Sequence, residues 1–426
     1  MTGTVHVVGA GLSGLSAAVE LAAAGRRVMV HEAAKFAGGR CRSYHDAALD
    51  LTIDNGNHLL LSGNWAALAY LRRIGGLAAV TIAGEAEFPF ADLATGERWT
   101  LRPNASRLPW WILAAHRRVP GTRAPDYLAP ISVLRAPASA TVGEVMACRG
   151  PLYERLWRPV LLAALNTEPS VADARLAAQI LRETLGAGGQ ACRPVVATGG
   201  LSAAFIEPAL SLLGDRSGEV RFSHALKEIR FAEDLAAELD FGGGECIALG
   251  PHDHIVLAVP PSVAPALLPD LTAPEEFHSI VNAHFRVAPP AGQPLILGIV
   301  NGMAEWLFAY PDRLSVTISC ADRLLDEPRE RLAETIWREV AVLTGLAPAL
   351  PRWQIVRERR ATFSATPLQA RRRPEARTRY RNLVLAGDWT RTGLPATIEG
   401  SIRSGLTAAA LLSRAPDGLE RSRRAA

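Results

Sequence analysis

The chain has 426 residues, 49% apolar and 21% charged, an ordinary globular composition with enough apolar material for two or three domains. Its 46 Lys and Arg stand against 42 Asp and Glu, and a net charge of +4 is too balanced for a nucleic-acid surface. Five cysteines (Cys41, Cys148, Cys192, Cys246 and Cys320) show neither metal-ligand nor CxxC spacing, so they read as reduced thiols of a cytoplasmic protein, with no metal.

The chain opens as strand, tight turn, helix, strand. Val5-His6-Val7-Val8 is a short apolar strand, Leu12 to Ala24 a Leu/Ala-rich helix stopped by Gly25, and Arg27 to Glu32 the second strand. The glycines that interrupt the first apolar run argue against a signal peptide, and no run of about 20 apolar residues follows to span a membrane. From about Ala66 to Gly199 prolines, Trp and helical segments dominate, among them Val142–Met146 and Leu152–Leu165. A helix over Leu201–Leu213 and a strand at Val220–Phe222 come next. They lead into an antiparallel patch over Leu226–Leu249, with Gly242-Gly243-Gly244 as its turn. His254–Val259 is a buried strand, residues 266–381 form a second mixed segment, Leu383–Ala386 is a last strand, and Ala396–Leu412 closes the chain as a helix.

This order predicts an α/β protein: a Rossmann-type dinucleotide domain (1–65, 195–265 and 382–414) interrupted by a discontinuous α+β substrate domain (66–194 and 266–381). Residues 415–426 read as a disordered tail.

The chemistry sits in four segments. In Gly9-Ala10-Gly11-Leu12-Ser13-Gly14, Gly9 permits the turn, Gly11 lets the backbone approach a pyrophosphate, and Gly14 lets helix and strand pack closely. The helix start then offers free N–H groups to the phosphates. Glu32 ends the second strand, 18 residues beyond Gly14, where an acidic side chain takes the ribose hydroxyls. Gly38-Gly39-Arg40 adds a close-passing loop and a cation, which a plain NAD dehydrogenase does not need. Asp54-Asn55-Gly56-Asn57-His58 would lay main chain against a flat ring, although the same run is also an ordinary Asp-Asn-Gly turn. At the far end Gly387-Asp388 follows a strand, and the helix after Pro395 aims its positive end at the pyrimidine edge of a flavin.

The run HVVGAGLSGLSAAVELAAAGRRVMVHEAAKFAGGRCRS resembles the dinucleotide signature of flavin amine oxidases and carotenoid desaturases. LAGDWTRTGLPATIEGSIRSG resembles their C-terminal FAD segment. Between them DNGNHLLLSGN, ADLATGERWTLRPNASRLPWWIL and IVNAHFRV look like the hydroxysqualene dehydroxylases of bacterial hopanoid synthesis. The resemblance implies FAD contacts at Gly9, Ala10, Gly11, Ser13, Gly14, Glu32, Gly39, Arg40, Gly387, Asp388 and Ile398. It places Leu226 at the adenine and Gly56, Asn57 and His58 beside the isoalloxazine. No Cys or His falls between Leu383 and Gly405 to tether the flavin, so binding is expected to be non-covalent. The lysine that amine oxidases place near the flavin aligns with Asn282, which argues against amine oxidation.

The resemblance further implies that hydroxysqualene is reduced to squalene, which needs a proton donor in a dry, apolar pocket. His58 and Asp54 are the first candidates for that donor and His284 the third; each is equally readable as structural. A carotenoid-type desaturase, an amine oxidase and a non-enzymatic isoprenoid escort protein remain alternatives. An isoprenoid substrate also implies contact with a membrane surface. In Ser106–Arg118, Trp110, Trp111 and Ile112 are bracketed by Arg107 and Arg117-Arg118, which reads either as an interfacial anchor or as core.

Overall fold

Five parallel strands build one sheet. In order across the sheet they are Glu219–Arg221, Arg27–His31, Thr4–Val8, His254–Leu257 and Leu383–Leu385. The computed structural model describes residues 3–413, and the expected tail at 415–426 lies outside the described residues. Val5, Val7, Val30 and Val256 are fully buried in a core shared with helices. Val8, Ile255 and Leu257 on the other face share a core with Ile229, Leu239 and Phe241 of the antiparallel patch, so both faces are covered, as a parallel sheet requires. The first helix, Leu12–Ala23, lies against the closing helix, Ile398–Ser413. Gly405 makes that contact possible, since a Cβ there would stand 2.3 Å from the Ser13 carbonyl oxygen. Helix Trp65–Ile74 joins the same core through Ala66, Ala67, Leu68 and Leu71.

The antiparallel patch is a three-stranded meander, Glu228–Ala232, Leu235–Gly242 and Glu245–Ala248. Gly243 and Gly244 both have positive φ in its two-residue turn, which is where glycine is needed. Downstream, Trp353–Phe363, Phe277–Phe285, Arg313–Ile318, Trp306–Tyr310, Ile296–Val300, Phe88–Asp92 and Arg98–Leu101 form one seven-stranded sheet in that order. Two of those strands lie in the region expected to be dominated by helix: Phe88–Asp92 pairs with Ile296–Val300 across 208 residues of sequence, and Arg98–Leu101 pairs back onto Phe88–Asp92 at the sheet edge.

Alternation sets the two faces of this sheet. Val281, Ala283 and Phe285 pack with Leu314, Val316 and Ile318 under helix Arg329–Thr344, against Ile336 and Trp337. Asn282, His284, Ser315 and Thr317 therefore face the other way. On that side Phe90, Trp99, Trp306, Phe308 and Tyr310 belong to a large apolar cluster with Trp111, Tyr127, Trp157 and Leu161 of the helical cap. Trp111 is thus core, 4% exposed, while Trp110 is 51% exposed. The tryptophan pair is not one anchor, and that expectation is corrected. All five cysteines are free thiols.

Candidate active site

The glycine turn is shaped by its neighbours. Gly9 has φ +107°, and a Cβ there would lie 2.6 Å from the Ala258 carbonyl oxygen. A Cβ on Gly14 would be 1.9 Å from the Gly9 oxygen, so the helix could not start where it does. Gly11 differs, because a Cβ there meets nothing within 4 Å. The space over Gly11, at a helix N-terminus, is the cradle a pyrophosphate fits. Ser13, buried in the first turn of the helix, has its carbonyl under Gly405.

Glu32 accepts the Ala10 N–H at 2.7 Å and the Ala34 N–H at 2.8 Å, which fixes its carboxylate at the rim of the turn. The loop at Gly38-Gly39 lies on the same turn: Gly38 N–H donates to the Ala10 oxygen, and a Cβ on Gly39 would sit 3.6 Å from the Gly11 Cα. Leu226 is half-buried just before the meander. Its neighbour His224 donates its main-chain N–H to the Glu32 oxygen, which brings that segment beside Glu32.

Arg40 joins the two ends of the chain. Its Nη2 meets Asp388 Oδ2 at 2.6 Å and its Nη1 donates to the Ala361 oxygen. Gly387 N–H is held by Ser404 Oγ, and Ile398, 8% exposed, opens the closing helix. Arg373 is a residue that sequence reasoning missed. It is 2% exposed and donates to the main-chain oxygens of Asp388 and Thr390, so it clamps the Asp388 turn from behind.

The Asn55–His58 segment is pinned to the polar face of the seven-stranded sheet. Thr317 Oγ1 donates to Asn282 Oδ1 at 2.8 Å, Asn57 Nδ2 donates to Thr317 Oγ1 at 3.1 Å, and Tyr310 donates its hydroxyl proton to Asn57 Oδ1. A Cβ on Gly56 would come within 3.3 Å of Asn282 Nδ2. Asn282 therefore lies directly against the Gly56 backbone.

The three proton-donor candidates end in different places. Asp54, 1% exposed, accepts from Ser43 Oγ at 2.6 Å and from the Leu201 N–H at 2.8 Å, with Arg313 at 3.9 Å. Burial pushes its carboxyl above the usual range, against those three contacts. Both hydrogen bonds fall on Oδ1 and hold the Ser43–Asp54 hairpin to Leu201. His284 is wholly buried, with Nδ1 against Ser315 Oγ at 2.8 Å and Nε2 without a partner among the described residues. Its ring lies near Asp46 and Arg313, and burial pushes it down to about 3. Among the described residues no hydrogen bond links the His284 ring to the Gly56 segment. His58 is half-buried, and its ring has no hydrogen-bond partner among the described residues; burial and the Arg40 charge push it down to about 4.

The sequence profile described as flavin containing amine oxidoreductase matches residues 12–413. The chain belongs to that family. It is 55% identical to the hydroxysqualene dehydroxylase of Rhodopseudomonas palustris (strain ATCC BAA-98 / CGA009), over 97% of this chain and 99% of that protein. It is 46% identical to the hydroxysqualene dehydroxylase of Zymomonas mobilis subsp. mobilis (strain ATCC 31821 / ZM4 / CP4), over 95% and 98%. Among solved structures, cyclohexylamine oxidase from Brevibacterium oxydans IH-35A is similar in fold, with a TM-score of 0.68 at 17% identity over 97% of this chain and 99% of that one. Wild-type putrescine oxidase bound to putrescine is likewise similar, with a TM-score of 0.66 at 17% identity over 97% and 100%. This member of the flavin containing amine oxidoreductases is an FAD-dependent oxidoreductase with the α/β fold expected from its sequence.

Proposed function

We propose that the chain reductively removes the hydroxyl of hydroxysqualene to give squalene, in bacterial hopanoid synthesis. Near full-length identity to hydroxysqualene dehydroxylases carries this reading. The Asn282 network supports it, because a neutral amide stands where an amine oxidase would use lysine. The retained set of Gly11, Glu32, Arg40 and Asp388 favours an enzyme over an escort protein.

The reaction balances as alcohol plus proton plus hydride, giving hydrocarbon plus water. FAD, when bound and reduced, supplies the hydride. The chain's own residues do the rest. Asn282, Thr317 and Tyr310 fix the Asn55–His58 segment. Phe90, Trp306 and Phe308, with the helical cap, give the substrate side an apolar lining that excludes water from a cationic carbon. His58 holds the proton for the departing hydroxyl. Assay of the flavin-loaded protein with hydroxysqualene and with squalene, under reducing and oxidising conditions, tests the reading. Squalene formed only under reduction supports it, and oxidation of squalene or of an amine instead overturns it.

Binding of FAD is proposed to be non-covalent, through Gly9, Ala10, Gly11, Ser13, Gly14, Glu32, Gly39, Arg40, Leu226, Gly387, Asp388 and Ile398. Gly56, Asn57 and His58 would lie beside its ring, and the discontinuous two-domain division belongs to the same reading. Acid precipitation should therefore release all the flavin to the supernatant, and Glu32→Ala should lower the flavin retained through purification. Yellow colour left in the pellet would contradict this. Among the described residues no helix is long and apolar enough to cross a membrane. Because a thirty-carbon isoprenoid resides in lipid, the proposed place of work is the cytoplasmic surface of the inner membrane.

A further inference from the structure

The exposed apolar side chains are unevenly spread. Leu108, Trp110, Leu113, Leu128 and Ile131 are between 40% and 78% exposed, and all fall within one short stretch of the helical cap. The framework beneath them is tightly built. Asn104 Nδ2 holds the Ser106 and Leu108 oxygens, and Asn104 Oδ1 accepts the Trp111 N–H. Trp111 meets Tyr127 edge-on at 5.2 Å, and the Tyr127 hydroxyl accepts the Val119 N–H. The two short turns Trp110–Leu113 and Ala124–Leu128 pack against each other through this inward pair. Their remaining apolar residues are therefore held outward by a rigid base, where each would otherwise turn inward to escape water.

Charge follows the same pattern. Residues 102–135 carry six arginines (Arg102, Arg107, Arg117, Arg118, Arg123 and Arg135) against one acid, Asp126. Arg102 pairs with Glu87 and Arg123 with Asp126, while among the described residues the other four meet no carboxylate. Arg117 lies over the Trp110 ring at 4.9 Å, so cation and indole are presented together. An apolar protrusion edged with unpaired arginines and bearing an exposed Trp complements an anionic bilayer: alkyl side chains below the headgroups, Trp at their level, arginines on phosphate.

We propose that the surface formed by Leu108, Trp110, Leu113, Leu128 and Ile131, with Arg107, Arg117, Arg118 and Arg135, docks the protein on an anionic lipid bilayer. The inference extends the proposed isoprenoid chemistry by placing the helical cap, whose underside lines the apolar cluster, against the lipid that holds the substrate.

Co-sedimentation of the flavin-loaded protein with vesicles tests it without any substrate. The parent should sediment with vesicles of phosphatidylethanolamine and phosphatidylglycerol, and far less with phosphatidylcholine alone. The triple variant Leu108→Ser, Trp110→Ser, Leu113→Ser changes only exposed side chains. It should stay folded and yellow and lose vesicle partitioning by about a hundredfold or more. Arg107→Gln and Arg118→Gln should each cost about fivefold, the equivalent of about 1 kcal/mol per arginine at an anionic surface. Unchanged sedimentation of the triple variant overturns the proposal. So does a parent that ignores vesicles but forms a concentration-dependent dimer abolished by the same changes. Turnover of detergent-dispersed hydroxysqualene by the triple variant reads the chemistry separately, so a protein that binds vesicles but makes no squalene refutes the reaction and leaves the surface standing.

Discussion

Gly11→Val should yield a folded protein that melts close to the flavin-free parent and carries no flavin. Open space surrounds the Gly11 Cα, so a side chain there strains nothing in the protein itself. In the proposed binding mode that space is where the pyrophosphate meets the N–H groups at the start of the first helix. Hydrogen bonds to charged groups contribute about 1.5–3 kcal/mol each, so displacing two should weaken flavin binding by about 10²–10⁴-fold. Gly14→Val serves as the contrast. Its Cβ would stand 1.9 Å from the Gly9 oxygen, so it should lower the melting temperature as well as the flavin content. Absorbance at the flavin band and a thermal melt of both variants read the difference. A Gly11→Val protein that keeps its flavin would mean that the pyrophosphate does not lie over this turn.

His58→Ala should keep its flavin spectrum and lose about 10²–10⁴-fold in turnover, the usual contribution of a placed proton donor. The pH profile separates this role from a structural one. An imidazole pushed down to about 4 is protonated in about one molecule in a thousand at pH 7. Turnover should therefore rise about tenfold for each pH unit between 7 and 5, levelling off as pH approaches 4. That slope should vanish in His58→Ala. Normal turnover in the variant, or a parent profile that is flat over this range, removes His58 as the donor.

Much of the fold around the proposed cofactor site was legible because its signals are local. The glycine turn, Glu32 and the Gly-Gly-Arg loop fall within one short stretch of chain, and their spacing alone implies a phosphate cradle. Other parts depend on contacts that no local pattern records. Phe88–Asp92 finds its parallel partner 208 residues away, and Pro89 at the second position hides the strand. Arg373 lies in a run of arginines that reads as a solvated patch, and only burial distinguishes it. Trp110 and Trp111 are neighbours in sequence, yet one short turn sends one into the core and the other outward. The alternation in Val281-Asn282-Ala283-His284 does announce a polar face. Which of its side chains meets the Gly56 backbone and which is sealed beside Ser315 depends on where the Gly56 segment and the Ser43–Asp54 hairpin lie.

The central sheet takes its first strand from residues 4–8 and an edge strand from residues 383–385, and Arg40 reaches Asp388 across 348 positions. On the ribosome, the glycine turn emerges early but has no Asp388 turn and no closing helix beside it. Half of the cradle waits for nearly the whole chain. Under the proposed binding mode, capture of the cofactor is a late event in the life of each molecule, and a chain cut short before residue 383 should be colourless however well its first strands have formed.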